Sequence, residues 1–459
     1  MQELKFPISS TPGALAGEGD GRLVNAYAEK DGDQIYMRRS PGLTTPIFAV
    51  GSGPRGMFTT KGQTIFSAFT DAAYYGDVLL TGVLLSGSLG VTWAENTDGQ
   101  TVAVKEDGGA FVTTTTNITA YSTTDADIPS DVNSVTFGNG YFFFSSPTGQ
   151  ITASGLNDLS IDPLSFAYAE SRSDPLKRVV WHGSVLYAFG EATIEPWLDT
   201  GDIPFPLTRG TSVIPCGLLT TMAVGGAVQG WDRPLYFVAH DGTVRALTGY
   251  TTKVVSTPPV DRFIKSSTKS TVVVFVYTFR GHGMVVVSSN LGTWEYNVTT
   301  GLWNERQSAS GTGWRAKYAT KQSDVWLAGD TLSSNMLQIS DTVYAENGAS
   351  LTFQVDSSPF KGFPAGMAIP ALFLEFTDAA ATAAISYSKD GGATWTTPET
   401  RTLANAEKWP VRVNSLGLMT HHGLRVRVTV ATAVDFSLMG ASISGPEVRR
   451  PKPDQVKAA

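Results

Sequence analysis

An apolar run, a tight polar turn and a second apolar run recur along this chain, and that unit restricts what it can fold into. One copy reads Arg233-Pro234-Leu235-Tyr236-Phe237-Val238-Ala239-His240-Asp241-Gly242-Thr243-Val244-Arg245-Ala246-Leu247. Another spans Met284 to Trp303, with the turn Asn297-Val298-Thr299-Thr300-Gly301. Further turns stand at Gly138-Asn139-Gly140 and His182-Gly183-Ser184, which are hairpin chemistry. Val, Ile, Tyr, Phe and Thr fill the runs between them, as a pleated, half-buried surface requires. Helical periodicity with caps is nearly absent. Small sheets repeated every ~40–45 residues close into a propeller. The pattern therefore predicts an all-β chain, a β-propeller with a C-terminal β-sandwich-like domain.

The 459 residues exceed what one core organises. Residues 1–50 are turn-rich and read as an irregular N-terminal arm. Residues 51–345 hold the propeller, with room for about six or seven blades at that repeat length. From 346 to 446 the texture changes. There Leu424-Arg425-Val426-Arg427-Val428-Thr429-Val430 alternates like a strand with one wet face, and a small β-sandwich is expected. Residues 447–459 carry Arg449, Arg450, Lys452 and Lys457 among prolines, and read as a flexible basic tail.

Composition narrows the function. The formal net charge of −7 does not grip phosphates by bulk attraction, although it suits a passage through which DNA slides. The single cysteine, Cys216, can form neither an intrachain disulfide nor a Cys-based zinc site. The five histidines lack H-E-x-x-H spacing, and His421-His422 would diverge on a strand. No phosphate-binding glycine loop is present, so no cofactor and no metal are expected. The first residues, Met1 to Pro7, carry no signal-peptide apolar stretch. The apolar runs are strand-length, so membrane insertion is not expected.

Ser388-Lys389-Asp390-Gly391-Gly392-Ala393-Thr394-Trp395 matches the Asp-box pattern S-x-D-x-G-x-T-W. Its physics is local. Asp390 can accept backbone N–H groups across the turn, Gly392 permits the turn, and Trp395 can pack beneath it. Ser388, Asp390, Gly392 and Trp395 are thus structural candidates. Glu191, Glu195, Asp199 and Asp202 cluster in sequence, as solvated turns do, although hydrolysis would need such carboxylates to converge. The rival reading is a sialidase-like glycan-cleaving or glycan-binding propeller.

Residues Phe166-Ala167-Tyr168-Ala169-Glu170 lead into Asp174-Pro175, and Phe189-Gly190-Glu191-Ala192-Thr193-Ile194-Glu195-Pro196-Trp197 follows. With Leu23-Val24-Asn25-Ala26-Tyr27 and Arg38-Arg39-Ser40-Pro41-Gly42-Leu43 near the start, this resembles the packaged-DNA stabilisation, or tail hub (nozzle), proteins of short-tailed bacteriophages. Residues 79–130 carry none of the motifs on which the resemblance rests. The resemblance implies a non-enzymatic structural role with no catalytic residue, and Glu195 and Trp197 as fold-determining positions. It implies a homohexameric ring below the portal-adaptor protein. Its other implied partners are needle, plug or spike proteins and passing double-stranded DNA held without sequence specificity. Its implied place is the virion tail, assembled in the host cytoplasm.

Overall fold

The computed structural model describes residues 1–449 other than 16, 17, 33, 83–85, 170, 173, 310 and 446. It divides into two compact units. One comprises Thr45–Leu291 with Trp314–Ile339. The other comprises Met1–Thr44, Gly292–Gly313 and Ser340–Ala459.

The first unit is the propeller. Seven innermost strands start successive sheets among the described residues: Gly56–Thr59, Val91–Glu95, Ser134–Gly138, Leu176–His182, Val224–Gly225, Val273–Phe279 and Ala316–Gln322. The chain then meanders outward. In the fourth sheet Leu176–His182 pairs antiparallel with Val185–Gly190, followed by Ile194–Asp199 and Leu207–Arg209. Ser and Thr in the innermost strands stitch neighbouring sheets. The Thr92 hydroxyl accepts the Val135 N–H at 3.0 Å, Ser134 accepts Val179 at 3.0 Å, and Thr136 accepts Trp181 at 3.1 Å. The ring closes where Thr59 and Thr320 hydroxyls meet at 2.7 Å. The apolar core lies between blades: Ala94, Val102 and Val104 pack on Val135, Phe142 and Phe144. Phe143 and Ile151 in turn pack on Val179, Leu186 and Trp197. Burial of such aliphatic and aromatic faces is the main driving force for this assembly.

The second unit is a sandwich of two sheets over one core. One sheet orders Ala26–Asp31, Gln34–Arg39, Ser437–Ile443, Gly366–Phe376 and Val411–Met419. The other runs through Gly292–Asn297, Leu302–Arg306, Gly19–Val24, Phe353–Asp356, Arg425–Val430, Thr382–Ser388 and Glu399–Thr402. Leu23, Phe353, Leu372, Leu374, Val428 and Phe436 share the core between them.

Three expectations change. Residues 1–50 are not an irregular arm: Gly19–Val24, Ala26–Asp31 and Gln34–Arg39 are strands, the last two paired with each other and the first and third held by partners distant in sequence. Leu23 pairs with Val355 and Gln2 with Ile443, and local sequence carries no trace of such partners. For the same reason the sandwich is not confined to 346–446. In the expected flexible tail, the Glu447–Arg449 backbone pairs with Gly366–Ala368, while 450–459 lie outside the described residues. The unexpected helix is Pro258–Ser266, with Pro258 and Pro259 in its first turn, Asp261 near its start and Lys265 near its end, all favoured at those positions.

Candidate functional site

The Ser388–Trp395 hairpin forms a closed set of hydrogen bonds. The Asp390 carboxylate accepts the Thr394 N–H at 2.9 Å and the Thr394 hydroxyl at 2.6 Å. The Ser388 hydroxyl donates to Asp390 at 2.7 Å and accepts the Gly392 N–H at 2.7 Å. Burial pushes the Asp390 carboxyl up, but the bonds from Thr394 and Ser388 outweigh it and hold it at about 2. Gly392 has φ 106°, which a side chain adopts only under strain. Trp395 does not pack beneath the turn alone: the Arg427 guanidinium lies 4.0 Å from its ring centroid. The hairpin belongs to the sandwich unit, so it is no blade repeat of the propeller.

Glu195 and Trp197 lie two residues apart on Ile194–Asp199 and are both buried, at 2% and 5% exposure. Glu195 accepts the Ser171 N–H at 2.7 Å, and the Trp197 ring meets Phe205 edge-on at 6.0 Å. Neither faces a cleft. Glu191 and Asp202 are exposed, and Asp199 binds the Asn139 side chain. The four carboxylates therefore do not form a reaction centre. No group of three or more His, Cys, Asp or Glu side chains suited to a metal occurs among the described residues. His421 and His422 sit in a turn with ring centroids 4.0 Å apart; the expected divergence fails because no strand runs through them.

The two motifs near the start of the sequence prove to be locks in the sandwich. Asn25, at φ 51° and 1% exposure, donates to the Gln307 and Thr352 carbonyls at 2.7 and 2.9 Å and accepts the Gln307 N–H at 3.0 Å. Arg39 is 1% exposed. Its guanidinium donates to the carbonyls of Leu351, Thr432 and Val434, and lies 5.6 Å from the rings of both Tyr344 and Phe436. Burial lowers its pKa to about 10, so it stays charged at neutral pH. Arg306 donates to the Pro41 carbonyl at 2.7 Å and stands 3.6 Å from Glu295, both side chains fully buried.

Two hollows remain. In the sandwich unit a groove of about 800 Å³ is lined by Leu4, Phe6, Ile35, Phe373 and Met439, with Glu3, Glu375 and Glu407 among its walls. Its polar side chains are those of Glu3, Lys5, Glu375, Glu407 and Ser442. In the propeller, a mouth of about 430 Å³ lined by Phe58, Lys61, Glu95, Trp181, His182 and Trp231 lies at the carboxyl ends of innermost strands. Phe58, Gly226, Ala227 and Val228 also line a smaller axial cavity of about 90 Å³, with Arg178, Met222 and Tyr318 in its wall. Sequence patterning missed Arg178; the available signal was a cation two residues from Val180 on an innermost strand that reads Leu176-Lys177-Arg178-Val179-Val180-Trp181-His182.

No curated protein matches the chain. Among solved structures it is similar to the Cps50 (Swd1) β-propeller domain of Myceliophteria thermophila, at 11% identity over 65% of this chain and 99% of that one, TM-score 0.39. It is similar to the WD40 repeats of RRP9, at 11% identity over 66% and 99%, TM-score 0.41. The computationally designed Ika8 protein is also similar, at 13% identity over 74% and 99%, TM-score 0.38. The phage-stabilisation family model, described as bacteriophage P22 Gp10, beta-propeller, matches residues 23–344. That span covers the propeller strands and both locking motifs, and the chain belongs to this phage-stabilisation family.

Proposed function

We propose that the protein is a structural part of a short phage tail, a hub or nozzle that forms a sixfold ring below the portal-adaptor complex. The ring extends the DNA channel and helps retain packaged DNA. The observation that carries this reading is the filled propeller axis. Its cavity of about 90 Å³ is walled by Arg178, Met222 and Tyr318. The major groove of B-DNA alone is ~12 Å wide, so a duplex cannot thread one propeller. DNA passing such a part must run beside it, and several copies around the duplex make a channel. Blades stitched by buried hydroxyls give a stiff protomer, which a closed ring needs to repeat its interface. The net charge of −7 favours sliding over sticking. In this reading the ring meets needle, plug or spike proteins at its far end, and it is built in the host cytoplasm.

Imaging of intact particles at side-chain resolution tests the proposal, together with the mass of the purified protein with and without adaptor. Six copies surrounding the DNA are expected. A single copy per tail, or absence from the tail, overturns it.

One observation favours a second reading, a glycan-binding module: Trp181 and Trp231 both line the axial mouth. Trp181 is already stacked on Phe143, at 5.9 Å and 7°, and Trp231 is 7% exposed, which leaves little ring surface for a sugar. Saturable binding of an oligosaccharide, lost in Trp181→Ala, would establish that reading.

A further inference from the structure

The axial cavity presents a problem in charge. It is walled by Met57, Val180, Met222, Val274 and Val276 together with Thr92 and Tyr318, and into this mixed setting Leu176–His182 brings Arg178. One guanidinium nitrogen donates to the Thr221 carbonyl at 3.0 Å and lies 3.9 Å from the Met222 sulfur. The Nε is buried and has no hydrogen-bond partner among the described residues. Burial lowers the Arg178 pKa to about 10, so the group is a cation at neutral pH. The side chain as a whole keeps some solvent exposure, yet a partly buried cation without a close counter-charge still carries a desolvation cost. No carboxylate lies within ion-pair distance of it among the described residues. The fields that act on it are those of Tyr318 and then Glu106, and one Glu106 oxygen is engaged by the Gly90 N–H at 3.2 Å.

Tyr318 lines the same cavity. It holds φ 55° inside a strand, where the register with the next strand slips between Lys317 and Ala319. That conformation is strained for a tyrosine, and strain of this kind marks a side chain re-aimed for a purpose. Burial and the Glu106 charge raise the Tyr318 pKa, against the pull of Arg178 and Arg55, so its hydroxyl remains a donor. The other charges around this wall are Lys317, whose ammonium lies 5.6 Å from the Tyr318 ring centroid, and Asp107 and Asp71, which act on Arg55. Two side chains that carry donors, one of them cationic, thus line a hollow of about 90 Å³, and one water needs only ~10–15 Å³ of such volume.

We propose that Arg178 and Tyr318 hold a small inorganic anion of chloride size on the propeller axis. The anion supplies the counter-charge that no carboxylate at ion-pair distance provides. It enters through the wider mouth near Trp181 and His182. The site fixes the inner ends of the fourth and seventh sheets to one ion, and so tightens the ring at its centre.

The test uses the full-length protein. Crystals grown in sodium bromide are examined for anomalous scattering, and unfolding midpoints are measured in sodium chloride against sodium gluconate at constant ionic strength. The expected result is a bromide peak beside the Arg178 guanidinium and a saturable rise in midpoint with chloride. Tyr318→Phe should keep the peak with roughly tenfold weaker chloride dependence, the loss of about one hydrogen bond. Arg178→Met should abolish both signals. If that variant fails to fold, Arg178→Lys, which keeps the charge without the fork, should retain a weakened chloride response. A wild-type axis without a bromide peak, or a midpoint that does not distinguish chloride from gluconate, overturns the proposal and leaves water as the occupant.

Discussion

The Arg427 guanidinium carbon lies over the Trp395 ring, 4.0 Å from its centroid, and the same guanidinium makes two 2.7 Å bonds to the Asp356 carboxylate. The hairpin is therefore tied to two neighbouring strands through a single cation. An Asp box that looks like a self-contained turn in sequence works here as a staple for the sandwich.

Asp390→Ala should destabilise the sandwich by about 1 kcal/mol, the net value of one or two hydrogen bonds. Asp390→Asn, which keeps an acceptor for the Thr394 N–H, should recover part of the loss. Denaturant unfolding followed by tryptophan fluorescence reads both. Equal stability of all three proteins would contradict the staple.

Acid should act through the same residue. The folded Asp390 carboxyl sits at about 2, below an unfolded value of ~3.9. Its contribution is therefore complete above that unfolded value and lost as pH falls towards 2. Asp241 behaves alike. Burial raises it, but bonds from Thr243 and Arg245 bring it down to about 2. Stability measured from pH 5 downwards should fall through this window, and less steeply in a protein carrying Asp390→Asn and Asp241→Asn. Superimposable curves would remove the linkage.

Arg39→Met should cost on the order of 3 kcal/mol, because the carbonyls of Leu351, Thr432 and Val434 lose a charged donor. Arg39→Lys should rescue little, since one ammonium cannot match the planar fork. Urea midpoints decide this, and a loss below 1 kcal/mol would show that the rings of Tyr344 and Phe436 hold the segment without the charge.

Gly138→Ala should destabilise the propeller by ~1–3 kcal/mol through overpacking. A Cβ at Gly138 would overlap the Trp181 ring on the neighbouring innermost strand. Pairing it with Trp181→Leu should restore part of the loss, as expected for residues in contact. Strict additivity of the two changes, read from thermal midpoints, would contradict this contact.

The repeated hairpins were legible because their turns are local: Asp241-Gly242 and Asn297 to Gly301 announce themselves within a few residues. The lock at Asn25 was not, since its value lies in carbonyls at Gln307 and Thr352, far along the chain. The motif around it was recognisable only as a family likeness. The Ser388–Trp395 turn was readable in its hydrogen bonds, whereas the role of Trp395 depended on Arg427 from another strand. Arg178 escaped notice because a cation in a strand reads as a wet face, and the wall it faces is built from other blades. The short helix at Pro258 broke no periodic pattern and was lost among turn prolines.

The pairing of Gln2 with Ile443 and of Leu23 with Val355 has a consequence for biosynthesis. At ~5–20 residues per second, a ribosome takes about 20 to 90 seconds to deliver the later partner of the earliest strand. Meanwhile the seven meanders between them emerge in order, each able to pair with what has just been made. The nascent molecule therefore carries a nearly complete wheel while its first strands still wait, exposed, for release of their mates.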